Sequence, residues 1–196
     1  MKHSILTLAL LLALPLFSIG QGFTIVESNS QHVTLRFDLG DFAIDTIVCE
    51  GETMHTLSTE GIIAPNEYGM PDLPTFNRFI AVPQGAKAIV EVKGMRLEHL
   101  GGVNIAPSLG SQCENEPERP YFKDPKVYAT DALYPASNVV VAEPQSLRGV
   151  DVIHIGICPF QFNPVRQEIV VNGQLEIEIR FEGGNGLFGD DRLRSP

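Results

Sequence analysis

The stretch Val165–Phe181, VRQEIVVNGQLEIEIRF, decides how this chain folds. In its second half Leu175, Ile177, Ile179 and Phe181 alternate with Glu176, Glu178, Arg180 and Glu182. A period of two puts the apolar side chains on one face of a strand and the charges on the other. Asn172-Gly173 in the middle is a turn signal, so the stretch reads as a hairpin. A two-residue turn would set Ile177 opposite Glu168 and Ile179 opposite Arg166. A three-residue loop, Val171-Asn172-Gly173 with Gly173 left-handed, pairs Ile169 with Leu175 and Val165 with Ile179 instead. Gln167 then faces Ile177, a milder mismatch than a charge. Register follows the buried face, so a bulged hairpin is expected.

The same pattern recurs upstream. His32–Asp38 (HVTLRFD) places Val33, Leu35 and Phe37 on one side. Phe42–Cys49, Phe76–Val82, Ala86–Val92, Asn138–Val141 and Val150–Cys158 read as further strands. Fourteen prolines and eighteen glycines, spread throughout, stop any helix from propagating. Short strands with regular punctuation predict an all-β chain: an antiparallel, jelly-roll-like β-sandwich with one long irregular loop. That loop is Pro107–Ala136, PSLGSQCENEPERPYFKDPKVYATDALYPA, with five prolines, mixed charge and no sustained alternation. Loops of such length inside a compact domain are often functional.

Both ends of the chain are distinct in composition. Lys2 and His3 precede an apolar run, Ile5–Ile19, which Pro15 interrupts and small residues at Ser18 and Gly20 close. A membrane-spanning helix needs about 20 apolar residues, more than this run supplies. Residues 1–20 are therefore expected to be a signal peptide cut before Gln21, with no membrane insertion once it is gone. Residues 21–184 are expected to form the sandwich, and 185–196 to begin a linker to a further domain. Arg192 and Arg194 in that tail are candidate processing points.

Formal charge is −10, and loss of Lys2 with the leader leaves −11. That balance disfavours phosphate backbones and anionic membrane surfaces, so no nucleic-acid partner is expected. Cys49, Cys113 and Cys158 allow at most one internal bridge, and their spacing lacks the pairs of a zinc site. Nucleophilic catalysis needs a nucleophile held by an oriented base. Cys113 alone lies outside an evident strand, and His32, His55, His99 and His154 carry no local motif around it. Gly101-Gly102 and Gly183-Gly184 lack the Lys of a phosphate loop. The expectation is no catalytic residue, no metal and no cofactor.

Three stretches resemble the propeptide of the gingipain family of secreted Arg- or Lys-specific cysteine peptidases. Gly69–Pro83 (GMPDLPTFNRFIAVP) is similar to its G-x-P-x-L-P followed by a strand ending in Val-Pro. Val103–Gly110 (VNIAPSLG) matches its IAPS-x-G segment, and Pro159–Pro164 (PFQFNP) its P-[LF]-Q-[YF]-N-P turn before the last hairpin. Order and spacing fit from about Phe23 to Phe181. The resemblance implies a sandwich that assists folding of a downstream peptidase domain and keeps it latent, in a protein secreted or held at the cell surface, by a type IX route after the periplasm. It also implies a loop that offers a basic side chain to the peptidase cleft. Here that loop falls in Ser108–Tyr121, and Gln112 stands at the position expected to be basic. Cys113 is its neighbour, and the nearest arginine is Arg119. A structural or adhesive sandwich from a surface protein stays open as the other reading, since sandwiches host unrelated functions.

Overall fold

The computed structural model describes residues 22–60, 63–64, 66–113, 115–117 and 119–189; the expected leader lies outside them. In chain order the elements are β1 Gly22–Ser28, β2 His32–Asp38, β3 Phe42–Cys49, β4 Glu52–Thr59, β5 Ile63–Ala64, β6 Thr75–Ala81 and β7 Ala86–Gly101. A single helical turn, α1 Pro125–Tyr128, precedes β8 Val139–Val141, β9 Gln145–Leu147, β10 Val150–Ile157, β11 Phe160–Asn163 and β12 Glu168–Gly183.

β12 is the axis of the first sheet. β7 pairs with it along its whole length on one side, while β2, then β1, lie on the other. Leu175, Ile177 and Ile179 sit opposite Phe37, Leu35 and Val33, so the alternation in both strands points one way. In the second sheet β10 pairs with β6 on one side and with β8 and β9 on the other. Ile153, Ile155 and Ile157 from β10 join Phe76, Ile80 and Val82 against the first sheet's apolar face. Two antiparallel layers closed over a shared apolar interior make a β-sandwich. Each of these buried side chains stabilises the fold by roughly 1.5–3 kcal/mol.

A second apolar cluster continues under one end of the sandwich. Phe160 and Phe162 of β11, Ile169 and Val171 of β12, and Val103, Ile105, Leu73 and Cys158 form it. The separate β3–β4 hairpin lays Phe42, Ile44 and Leu57 over this cluster, with the Phe42 and Phe160 rings 5.2 Å apart.

The expected hairpin at Val165–Phe181 does not form. β12 runs straight through Asn172-Gly173, because β7 offers partner groups on both sides of it. Asn172 lies opposite Leu97 and Gln174 opposite Arg96, so Gly173 is the extra residue of a β-bulge. Asn172 is fully buried, and its backbone N–H and Nδ2 both donate to the Pro159 carbonyl. Most of the PFQFNP stretch, Phe160–Asn163, is likewise a fully buried strand, β11, and only its end at Pro164 enters a turn. The reversal comes just after it, where Asn163 Oδ1 accepts the N–H groups of Val165 and Arg166. The real hairpin is therefore β11–β12. β7 also continues well past Val92, absorbing Lys93 as a bulge between Gly94 and Val92.

Candidate functional site

The 107–136 loop is pinned at its root by all three of the motifs singled out above. Its entering leg, Val103–Ser108, is buried throughout. On one side β4 holds it: His55 N–H donates to the Asn104 carbonyl at 2.7 Å, and Ala106 N–H returns to the His55 carbonyl at 2.9 Å. The His55 ring adds Nδ1 as acceptor for Asn104 N–H at 3.0 Å. On the other side the Gly69–Asp72 stretch closes the ladder, through Asp72 N–H to Ala106 O, Ser108 N–H to Met70 O and Gly69 N–H to Ser108 O. Buried backbone groups must be paired, and here two short motifs do that for each other.

The returning leg is fastened to the same residues. Asp124 N–H donates to the Gly69 carbonyl, and Asp124 Oδ1 caps α1 by accepting Lys126 N–H. Gly69 has φ +85°, and a methyl there would meet the Phe122 ring at 2.7 Å, so glycine is required for the leg to pass. Tyr128 Oη donates to the Ile105 carbonyl, joining returning leg to entering leg. Farther on, Tyr134 and Phe162 exchange both backbone hydrogen bonds, Gln161 Nε2 donates to Pro135 O, and Asn163 Nδ2 to Asp131 Oδ1. PFQFNP thus grips the loop's exit as GMPDLP and IAPS grip its entry.

Glu52 links the two legs electrostatically. One carboxylate oxygen accepts Asn104 Nδ2 at 2.9 Å and the other Lys123 Nζ at 2.6 Å. The Lys123 bond, then the Asn104 bond, hold this carboxyl below its ordinary 4.5. A lowered carboxyl contributes stability that is present above its unfolded value and lost as pH falls through the folded one. Thermal midpoints are expected to start declining below about pH 4.5, with a shallower decline in Glu52→Gln, as melting scans from about pH 6 to 3 would measure. Glu52 is half exposed, so solvent screening keeps the difference small.

The expected site residues are not brought together. Gln112 and Cys113 sit on the exposed tip, where Glu116 N–H closes a turn onto the Cys113 carbonyl. Gln112 Nε2 reaches only Pro117 O, at 3.5 Å, the limit of a hydrogen bond. Arg119 stands at the neck instead. Its Nη1 donates to Leu109 O, Nη2 pairs with Glu116 at 2.8 Å, and the guanidinium lies over Tyr68. Tyr68 in turn donates its hydroxyl to Pro120 O. Arg119 therefore braces the loop, while Gln112 and Cys113 are presented by it.

All three cysteines are free. Cys158 is buried, donates to Phe160 O, and burial pushes its thiol up to about 11, so it stays protonated. Among the described residues no three His, Cys, Asp or Glu side chains converge as a metal cage. Arg192 and Arg194 lie outside the described residues. The chain just before them folds back: Asn185 N–H donates to Gln84 O, Gln84 N–H to Leu187 O, and the Phe188 ring packs edge-on to Phe181.

The structure is thus a sandwich whose buried polar bonds gather at the root of one long loop with an exposed tip. The chain belongs to the Propeptide_C25 family, whose model matches residues 21–186. Lys-gingipain of Porphyromonas gingivalis is 25% identical over 169 residues, 83% of this chain and 10% of that protein. Gingipain R2 of Porphyromonas gingivalis is 30% identical over 155 residues, 78% of this chain and 21% of that one. The chain thus spans a small fraction of the curated relatives it matches. A solved complex of Porphyromonas gingivalis RgpB pro- and mature domains superposes with TM-score 0.76 at 21% identity, covering 86% of this chain and 90% of that one. A structure addressing zymogenic latency of gingipain K from Porphyromonas gingivalis gives TM-score 0.71 at 23% identity over 86% and 97%. The fold is that of these prodomains. Membership in a propeptide family sets aside the structural or adhesive alternative.

Proposed function

We propose that this chain is the N-terminal propeptide of a secreted gingipain-type cysteine endopeptidase, acting as its inhibitor and folding chaperone, with the 108–121 loop as the plug. The partner is the peptidase domain downstream in the same precursor, bound first in the same chain and then non-covalently after cleavage in the Arg192–Arg194 region. Residues 1–20 carry the precursor to the periplasm as a signal peptide, ahead of its type IX export. The observation that carries this reading is the contrast between a rigid root and an exposed tip. A loop whose two legs are already fixed loses little entropy on docking, so its contacts go into affinity.

Gln112 is the tip residue that enters the cleft, and Arg119, held at the neck, keeps the tip in place. The partner's specificity pocket then accepts a neutral amide, unlike a pocket built for Arg or Lys. Inhibition of the mature peptidase by this chain added in trans tests the assignment. Gln112→Ala is expected to raise the inhibition constant about tenfold with an unchanged melting temperature. Arg119→Ala is expected to raise it by a smaller factor, by loosening the neck. Unchanged constants for both variants would contradict insertion of this loop.

A further inference from the structure

The two sheets present opposite kinds of outer face. That of the β2–β12–β7 sheet is laced with charge: Lys93 pairs with Glu91 and Glu178, Arg180 with Glu91, and Arg36 with Glu176. Such a face is adapted to water. The outer face of the β6–β10–β8/β9 sheet has no Asp, Glu, Lys or Arg at any outward position, in a chain of net charge −10. Its outward positions carry Phe79, Val140, Leu147, Val150 and His154 around a buried Val152, with the uncharged Asn77, Ala81 and Gln145 beside them, and Phe79, Val140 and Leu147 are 55%, 62% and 52% exposed. The Phe79 and His154 rings pack with centroids 5.0 Å apart, giving a firm aromatic platform. A charge-free face with several large exposed apolar side chains marks an interaction surface.

Its two ends say what covers it. At one end Gly156 and Val140 line a cavity of about 180 Å³ together with Asn66, Leu73, Tyr134 and Cys158. The Asn66 carbonyl accepts the Ser108 hydroxyl, so this end adjoins the loop root. At the other end lies Gly189, the last of the described residues: a methyl built on it would lie 3.2 Å from Val150. The face therefore lies between the loop root and Gly189.

We propose that this face is a second docking surface for the peptidase domain of the same precursor, with Phe79 as its anchor. The inference rests on the propeptide reading above. A partner that engages the loop at one end and is joined to the chain at the other is placed to cover what is between them, and the tether supplies a high effective concentration for that contact. An uncharged surface gives up its water cheaply, and a half-exposed aromatic is the usual energetic centre of such a contact.

The test is the affinity of the chain for the mature peptidase of the same precursor, with Gln112→Ala measured in parallel. Phe79→Asp and Val140→Asp are each expected to weaken binding about tenfold or more. Arg36→Ala, on the charged face, is expected to bind as the parent does. Should Phe79→Asp lower the melting temperature, Val140→Asp, at the more exposed position, decides. Parent-like binding by both aspartate variants overturns the proposal, and if Gln112→Ala is weakened then the loop works alone. Weakening by the aspartates with a silent Gln112→Ala upholds the surface and removes the plug. A concentration-dependent dimer of this chain that Phe79→Asp abolishes, without loss of peptidase binding, assigns the face to a second copy and overturns the proposal too.

Discussion

Replacing Ser111–Pro117 with a short Gly-Ser linker is expected to raise the inhibition constant against the mature peptidase by about a hundredfold or more, equal to some 2.8 kcal/mol of binding. The melting temperature is expected to stay close to the parent's. The hydrogen bonds that hold the loop to the body fall on Val103–Gly110 and Arg119–Tyr128, outside the exchanged segment. What the exchange removes is the tip turn and the Arg119–Glu116 pair, a half-exposed contact that contributes little to folding. Inhibition assays and calorimetry on one preparation check both halves. Retained potency would place the inhibitory contact elsewhere on the domain.

Phe160→Ala is expected to have the opposite signature, a large loss of stability of about 3–5 kcal/mol. Phe160 is fully buried, packs edge-on to Phe42, and lies in the cluster that also contains Val103 and Ile105 of the loop root. A domain of this size is stable by only about 5–15 kcal/mol, so the variant is close to its limit. Urea unfolding measures the loss directly. Weaker inhibition then follows from mass action, since only the folded fraction presents the loop.

Much of the sandwich was legible because alternation survives wherever one face of a strand is buried. β2 and β3 match the expected bounds, β6 is displaced by one residue at both ends, and β8 and β10 differ by one residue at one end. β4, ETMHTLST, escaped because only Met54 among its residues is buried, leaving no apolar stripe to read. β1 escaped because Ile25 and Val26 of this edge strand face solvent. The misread hairpin at Asn172-Gly173 has a physical lesson. A turn dipeptide states a local preference of under a few kcal/mol, and a sixteen-residue partner strand overrides it with ladder bonds on both sides.

The site was half legible. Its position, in the long loop after the IAPS segment, could be read from composition and resemblance. Its geometry could not, because the loop is held by bonds from Asn104, Ser108, His55 and Asp124 that impose no periodicity on the sequence. What makes Arg119 a brace is a set of contacts that no motif announces, with Leu109 O, with Glu116 and with Tyr68, fifty-one positions earlier, under its guanidinium. The three motifs that converge on one root share a sequence signal: each contains at least one proline, which fixes the backbone locally.

The claim on which all of this depends is that the domain silences the peptidase by occupying its cleft. The rate at which iodoacetamide alkylates the peptidase's catalytic cysteine, with and without saturating amounts of this chain, measures that occupancy directly. The account predicts that alkylation slows in proportion to the fraction of peptidase bound. A thiol that stays equally reactive while the two proteins remain associated would contradict it.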